Sequence, residues 1–260
     1  MQLDAFRQWT ARLQANLDGD SRVIGLVLLG SSAEVSRIPD AWSDHDFFVV
    51  TMDGVQENFR SDLSWLPDAE QIVLHPRETA HGLKVLFADG HLIEFAIFDL
   101  KDLRLARVND YRVLLDKTDG SIHRALPELV ADSAPGPLDR DRAIDLMLSL
   151  FVVGAGRVAR GEVLSGQRFI KDFALSELLR LIAHEIPATV PLQDNLDPFR
   201  RVEICYPAIA AELQQALLLE PIASAEAMLK IAEAHLSQLP KPVVDVVQRV
   251  VQDAKASQAG

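Results

Sequence analysis

Three features of this 260-residue sequence predict an α+β protein, with a mixed β-sheet flanked by helices first and an α-helical bundle after it. Short apolar runs of strand length are spread as far as residue 118, with helix-period segments between them. A segment with two prolines and a glycine, residues 132–138, then interrupts the pattern. Beyond it the strand signals stop, and apolar residues recur at helical spacing. We therefore expect two domains.

The elements of the first domain follow from the period of its apolar residues. Phe6, Trp9, Leu13 and Leu17 recur at helical spacing, which predicts an amphipathic helix that ends near residue 19 and covers the sheet. Strands are predicted where apolar residues run or alternate between turn residues. The predicted strands are residues 23–29, 45–51 and 70–74, the two arms of a hairpin in 82–99, and 112–116; short helices are predicted at 55–63 and 101–107.

The second domain is predicted to be a bundle of about five helices. Its clearest stripe has apolar residues at i, i+3, i+4, i+7 and i+8, namely Ile144, Met147, Leu148, Phe151 and Val152. Further helices are expected at residues 170–181, 207–219 and 223–239, and after Pro240. The predicted boundaries are 1–131 for the first domain, 132–139 for the linker and 140–260 for the helical domain.

Composition and charge exclude several classes of function. The chain is 48% hydrophobic and 25% charged, as folded soluble proteins are, and no apolar run approaches the length of a membrane span. The single cysteine, Cys205, excludes an intramolecular disulfide and fits a cytoplasmic location. The net charge of −12 argues against a nucleic-acid partner and suits a cationic small molecule.

The candidate site begins where the first strand ends in a Gly-Ser-Ser turn. Gly30 permits a positive φ or a close approach, and the hydroxyls of Ser31 and Ser32 can help the turn hold a phosphate. Asp44 and Asp46 lie two apart at the start of the next strand, so their side chains share a face. Paired carboxylates are hard oxygen ligands, which favours Mg²⁺. The pattern predicts a metal site facing a phosphate site.

Two further residues complete this prediction. Glu94 interrupts an apolar run in the second arm of the hairpin, where an unpaired charge is costly, so we expect it to be a third carboxylate for the metal. His45 lies between the two aspartates and points to the opposite face. We expect it to pack or to donate a supporting hydrogen bond rather than to act in catalysis.

In this order, the motifs resemble the nucleotidyltransferases of the DNA polymerase β-like superfamily. The segment GSSAEVSRIPDAWSDHD is most similar in spacing to the aminoglycoside and lincosamide adenylyltransferase branch. The resemblance implies that Gly30 and Ser31 bind the β- and γ-phosphates of a nucleoside triphosphate. It also implies that Asp44 and Asp46 ligate Mg²⁺, with Glu94 as the third carboxylate. The likeness covers about the first hundred residues and, beyond them, only the layout of a helical domain.

The expected activity is Mg²⁺-dependent transfer of a nucleoside monophosphate, AMP from ATP, to a hydroxyl of a small acceptor, with release of pyrophosphate. Asp44, Asp46 and Glu94 are the candidate catalytic and metal-binding residues. The helical domain is expected to bind substrate, with Lys171 as a candidate nucleotide ligand against the alternative of a solvated helix face.

Several alternatives stay open at this point. In one alternative the protein is a transferase whose acceptor is an antibiotic, another small molecule, a protein or an RNA. In the other it binds a nucleotide as a regulator and catalyses no reaction. An unrelated metal-dependent hydrolase is disfavoured, because the other histidines lack ligand-like spacing. A monomer and a homodimer are both compatible with the sequence.

Overall fold

The structure is a computed structural model that describes residues 1–133, 136–191, 194 and 196–258. It divides into two compact units, Met1–Ala134 and Pro135–Gly260. Residues 134 and 135 of the predicted linker lie outside the described residues, and residues 132 and 133 belong to a helix. Within the described part of the chain, no helix is both long enough and apolar enough to span a membrane.

The first unit contains a six-stranded mixed sheet, which confirms the predicted fold class. Its strands are β1 (Val23–Leu29), β2 (His45–Thr51), β3 (Ile72–Leu74), β4 (Gly82–Phe87), β5 (Leu92–Phe98) and β6 (Tyr111–Asp116). The order across the sheet is β3-β4-β5-β2-β1-β6. Strands β2 and β5 pair in parallel, whereas the other neighbours are antiparallel. The apolar β2 strand therefore lies in the middle of the sheet.

Each face of this sheet is covered by a helix. Helix α1 (Leu3–Asp18) buries Trp9, Leu13 and Leu17 against one face, together with Phe47 of β2. Helix α3 (Ser121–Ser133) covers the opposite face, where its apolar side chains pack on those of the strands. The residues of this second core are Val27, Phe48, Val50, Phe98, Leu103, Val108, Ile122, Leu126 and Leu129. Alternate side chains of β2 thus belong to two separate apolar cores, one on each face of the sheet.

The predictions for the shorter elements succeed only in part. Helix α2 (Gln56–Ser61) lies within the predicted 55–63 segment, and a 3-10 turn, Asp102–Leu105, replaces the helix predicted at 101–107. Helix α3 is absent from the predictions, since Pro127 lies inside it and proline disfavours a helix interior. Its buried Ile122, Leu126 and Leu129 follow a helical period that could have identified it.

The second unit is helical, as predicted, but contains more segments than expected. Its described helices are α4 (Arg140–Ala159), α5 (Val163–Arg168), α6 (Leu175–Glu185), α7 (Val202–Cys205), α8 (Pro207–Leu218), α9 (Pro221–His235) and α10 (Lys241–Gln258). A π-helical segment, Phe169–Ala174, joins α5 to α6. One apolar core that includes Met147, Phe151 and Leu178 holds this unit together.

Candidate functional site

The central feature of the site is a row of charged side chains across three strands. Asp46 of β2 pairs with Glu94 of the parallel strand β5, and Glu94 pairs in turn with Lys84 of β4. Residues directly opposite on neighbouring strands share a face, and the strands are about 4.8 Å apart. The two carboxylates predicted from widely separated segments are therefore neighbours. All three residues are half-buried, on the same face as Phe48.

Glu94 already has a cationic partner within the protein. Its Oε1 lies 2.9 Å from Nζ of Lys84, which also lies 3.2 Å from Glu78. The hydrogen bonds that its ammonium donates to Glu94 and Glu78 raise the pKa of Lys84, so the ammonium is stabilised in its charged form. The cation that the apolar surroundings of Glu94 require is thus supplied by a lysine. To act as the predicted metal ligand, Glu94 has to use its other carboxylate oxygen, or Lys84 has to move away.

The Gly-Ser-Ser turn lies beside Asp46. Gly30 has a φ of 52°, the left-handed region that glycine adopts without strain, and its N–H donates to the carbonyl of Asp110 at 2.9 Å. A Cβ added to Gly30 would lie 3.5 Å from Oδ2 of Asp46. Because glycine leaves this position open, the carboxylate faces a space that any other residue would begin to fill.

The two serines of the turn have different surroundings. Oγ of Ser32 donates to the carbonyl of Asp44 at 3.2 Å and accepts from the N–H of Asp46 at 3.1 Å. This fully buried hydroxyl has used its only donor, so it positions the strand start and is not available to donate to a phosphate. Within the described residues, no hydrogen bond engages the Ser31 hydroxyl. Ser31 is also buried, and its predicted phosphate contact stays a prediction, whereas the Ser32 hydroxyl has no donor left for a phosphate.

Glu34, a residue that the sequence did not single out, fixes the end of this turn. It has a φ of 54°, and its carboxylate lies 2.6 Å from Arg7 of α1 and 3.6 Å from Arg112 of β6. The hydrogen bond from Arg7 is the main reason that the pKa of Glu34 lies below its usual range. The turn is anchored to elements on both sides, and a lone Glu in a loop gave no signal of this.

His45 is buried on the opposite face of β2, as expected for a packing residue. Its ring stacks on Phe6 with centroids 3.5 Å apart, and Trp9 lies against it. Nε2 is 3.2 Å from the carbonyl of Phe6 and 3.0 Å from the hydroxyl of Thr10, so this nitrogen carries the proton. Nδ1 then accepts from Nε2 of His91 at 2.7 Å. His91 follows the hairpin turn, and its partner could not be read from the sequence.

Burial keeps both histidines neutral. Desolvation, followed by the charge of His91, lowers the pKa of His45 to about 3. Desolvation also lowers the pKa of His91 to about 4. A neutral pair can exchange one hydrogen bond without burying a charge. The pair therefore ties α1, the start of β2 and the β4–β5 hairpin together behind the carboxylates.

Lys171 has a structural role in the helical unit. It lies in the π-helical segment, and its ammonium donates to the carbonyls of Leu217 and Leu219 at 2.8 and 2.5 Å. Those carbonyls are at the end of α8, where backbone acceptors lack helical partners. Two of the three donors of the Lys171 ammonium are thus used at the end of α8, and its predicted phosphate contact stays a prediction.

The carboxylate oxygens of the site suit a hard divalent cation. Asp46 supplies a carboxylate oxygen beside the space left open by Gly30, and Asp44 lies two residues earlier, directly before β2. Among the described residues, however, no group of three or more His, Cys, Asp or Glu side chains is arranged to hold a metal ion. Glu94, the predicted third carboxylate, is instead paired with Lys84.

Comparisons with known proteins find similarity in structure but not in sequence. No protein-family model and no curated protein sequence matches the chain. An aminoglycoside 6-adenyltransferase from Bacillus subtilis aligns over 98% of this chain and 92% of its own, with 14% identity and a TM-score of 0.34. The Bradyrhizobium diazoefficiens CD-NTase CdnG, in complex with GTP, aligns over 99% and 92%, with 13% identity and a TM-score of 0.26. Likenesses this weak do not establish a function, which has to be argued from the side chains.

Proposed function

We propose that the protein is a nucleotidyltransferase that moves a nucleoside monophosphate, AMP from ATP, to a hydroxyl of a small acceptor. One observation carries this proposal: Asp46 is in register with Glu94 on the neighbouring strand and faces the space beside the Gly30 turn. Carboxylates next to a glycine turn suit a metal-bound triphosphate, since the turn would accept the phosphates and the acids would hold their cation.

The chain's own residues would then act mainly by positioning and charge. Asp44 and Asp46 would hold Mg²⁺, which would offset the negative charge on the phosphates and on the departing pyrophosphate. The Ser31 hydroxyl would donate to a phosphate oxygen, while Ser32 keeps the turn and β2 in place. Glu94 would take its place as third carboxylate if Lys84 moves towards the phosphates.

The reaction balances without any other reactant. An acceptor oxygen forms a bond to the α-phosphorus, the bond from that phosphorus to the bridging oxygen breaks, and pyrophosphate leaves. The acceptor hydroxyl loses one proton, for which Glu94 is the candidate base. Holding the acceptor in line with the leaving group accounts for most of the expected rate enhancement.

A second candidate function is nucleotide binding without turnover. The ion pair between Glu94 and Lys84 favours it, because a carboxylate neutralised by lysine does not need a metal. The two candidates share nucleotide binding and differ in pyrophosphate release. Transfer to a protein or an RNA would also release pyrophosphate but would require a macromolecular acceptor.

The experiment that tests the proposal is pyrophosphate release from each nucleoside triphosphate with Mg²⁺, across a panel of aminoglycosides and lincosamides. We expect release that requires an acceptor and is lost in the Asp44→Asn/Asp46→Asn variant. Asp53→Asn, on an exposed turn after β2, serves as the matched control. Nucleotide binding without release for every acceptor, including protein and RNA, would favour the second candidate.

A further inference from the structure

The helical unit contains a cavity of about 570 Å³, a size that is typical of small-molecule sites. Part of its lining comes from the apolar core of the unit, namely the buried side chains of Leu179, Val202 and Tyr206. Leu196 and Pro198, in the segment before α7, also line it and are exposed. A lining of this kind suits a ligand with an apolar body, which would cover both the core residues and the exposed ones.

Two arginines line the same cavity, and each is held by a carboxylate. Arg180 of α6 lies 3.0 Å from Oε2 of Glu177, and Arg200 lies 3.4 Å from Oδ2 of Asp194. The side chains of Glu177 and Asp194 are only 15% and 1% exposed, whereas those of Arg180 and Arg200 are 40% and 49% exposed. Because the acids are covered and the guanidinium groups are not, the charge that the cavity presents to a ligand is positive.

The two guanidinium groups have donors left for a ligand. Each reaches its carboxylate through Nη1, and within the described residues no hydrogen bond engages Nε or Nη2 of Arg180 or Arg200. Their planar arrangement of N–H groups matches the two oxygens of a carboxylate. Asp194 does not compete for the ligand, since its Oδ1 accepts from the N–H of Leu196 at 2.9 Å and its Oδ2 is buried.

The ion pairs at the cavity leave one positive charge in excess. Arg201 lies 3.8 Å from Oδ2 of Asp194, so the pairs join three arginines to the two carboxylates of Glu177 and Asp194. The chain as a whole has a net charge of −12, so this cluster reverses the sign locally. Electrostatic complementarity then favours a ligand with a single negative charge. A carboxylate has that charge, whereas a phosphate monoester is closer to −2 at neutral pH.

We propose that this cavity binds a small monocarboxylic acid with an apolar body. The guanidinium groups of Arg180 and Arg200 hold the carboxylate, and Leu179, Leu196 and Val202 contact the body. The inference does not depend on the proposed nucleotide site, because all of these residues belong to the helical unit. It gives the protein a second ligand, of a different chemical class from a nucleotide.

Calorimetric titrations of the full chain test the proposal with matched probes. The acids are 4-phenylbutyrate and octanoate, which carry an aromatic and an aliphatic body. We expect at least one of them to bind, and 4-phenylbutylamine, which has the same body with a cationic head, not to bind. Acetate, which has the head without the body, is expected to bind at least about 100-fold more weakly than the better acid.

Substitutions assign the binding to this cavity. Arg180→Gln/Arg200→Gln is expected to weaken acid binding at least about 10-fold. Arg180→Gln alone leaves the buried Asp194 paired, and it replaces the double variant if thermal denaturation shows that the latter is unfolded. Arg168→Gln, at an arginine of α5 that is 70% exposed and lies outside the lining, is the control and should bind the acid as the wild type does.

Three results would overturn the proposal: no binding of either acid, equal affinity for 4-phenylbutyrate and 4-phenylbutylamine, or wild-type acid binding by a folded arginine variant. A non-hydrolysable ATP analogue is titrated in parallel. If the arginine variant loses the analogue together with the acid, the arginines serve the nucleotide and the proposal is also wrong. Acid binding by a wild type that binds no nucleotide would leave this inference standing although the proposed function fails.

Discussion

The side chains of strand β2 alternate between its two faces, and the two faces have different roles. His45 and Phe47 point into a core closed by α1, where every polar atom of His45 has a partner. Asp46 points the other way, half-buried beside the Gly30 turn and in register with Glu94. The first face holds the strand in place at the cost of burying a histidine pair. The second carries Asp46 next to the ion pair of Glu94 and Lys84, a half-buried charged row that packing alone does not require and that therefore suggests a function.

The largest expected effect comes from a substitution of Asp46, on the face of β2 opposite His45. Asp46→Asn keeps the size and the hydrogen-bonding backbone of the residue but removes a charge. We expect transfer, measured as pyrophosphate release, to fall about 1,000-fold or more, with no loss in the free energy of unfolding. Asp53→Asn should change neither. A folded Asp46→Asn variant with normal transfer would show that the Asp46 face of β2 has no catalytic role.

The next effect tests the space beside Asp46. Gly30→Ala places a methyl group 3.5 Å from Oδ2 of Asp46 and forces alanine into a φ of 52°. We expect nucleotide binding to weaken about 100-fold and the free energy of unfolding to fall by about 1 kcal/mol. Gly54→Ala is a matched control, since Gly54 also has a positive φ but has no atom within 4 Å of the added Cβ. Equal nucleotide affinity in both variants would show that the open space is unimportant.

A smaller effect separates the roles of Glu94. If it joins the metal site, Glu94→Gln should lower transfer about 10-fold, because a neutral amide is a weaker ligand. Lys84→Met should then tighten Mg²⁺ binding by releasing the carboxylate from its ion pair. Mg²⁺ titrations of activity measure both variants. Wild-type behaviour of both would leave Glu94 and Lys84 as a structural cross-strand pair.

The face of β2 that carries His45 and is covered by α1 predicts an effect on the free energy of unfolding rather than on catalysis. The pKa values of His45 and His91, about 3 and about 4, lie below the ordinary value of 6.5. The unfolded chain therefore binds more protons below pH 6.5, and the free energy of unfolding should fall as the pH drops from there towards 4. The decline is at most about 1.4 kcal/mol per pH unit for each histidine.

Urea denaturation across this pH range measures the effect. His45→Gln/His91→Gln should be less stable than the wild type at neutral pH but should lose less stability on acidification. His75→Gln, which replaces an exposed histidine, should keep the wild-type pH profile. An unchanged profile in the double variant would assign the acid sensitivity to other groups.

The sequence predicted the parts of the site that depend on local pattern. The strands β1, β2 and β5 were visible as apolar runs, and period-two alternation placed Asp46 and His45 on opposite faces. Pairing partners were not visible, because register is set by contacts between distant segments. Glu94 was expected to need a cation, but only the pairing of β4 with β5 shows that Lys84 supplies it.

Helix termini and turns limited the prediction in a similar way. The charge of Lys171 suggested a phosphate contact, while its actual acceptors belong to a helix 46 residues further along the chain. The two serines after Gly30 looked equivalent in sequence. Only the approach of β2 separates Ser32, which bridges the backbone of Asp44 and Asp46, from Ser31.

We propose that Asp46 and the Gly30 turn together bind a metal nucleotide. A calorimetric titration with a non-hydrolysable ATP analogue, with and without Mg²⁺, on the wild type, Asp46→Asn and Asp53→Asn tests this binding. We predict Mg²⁺-dependent binding to the wild type and Asp53→Asn, and its loss in Asp46→Asn. Binding that is equal in all three proteins, or that does not depend on Mg²⁺, would contradict the claim.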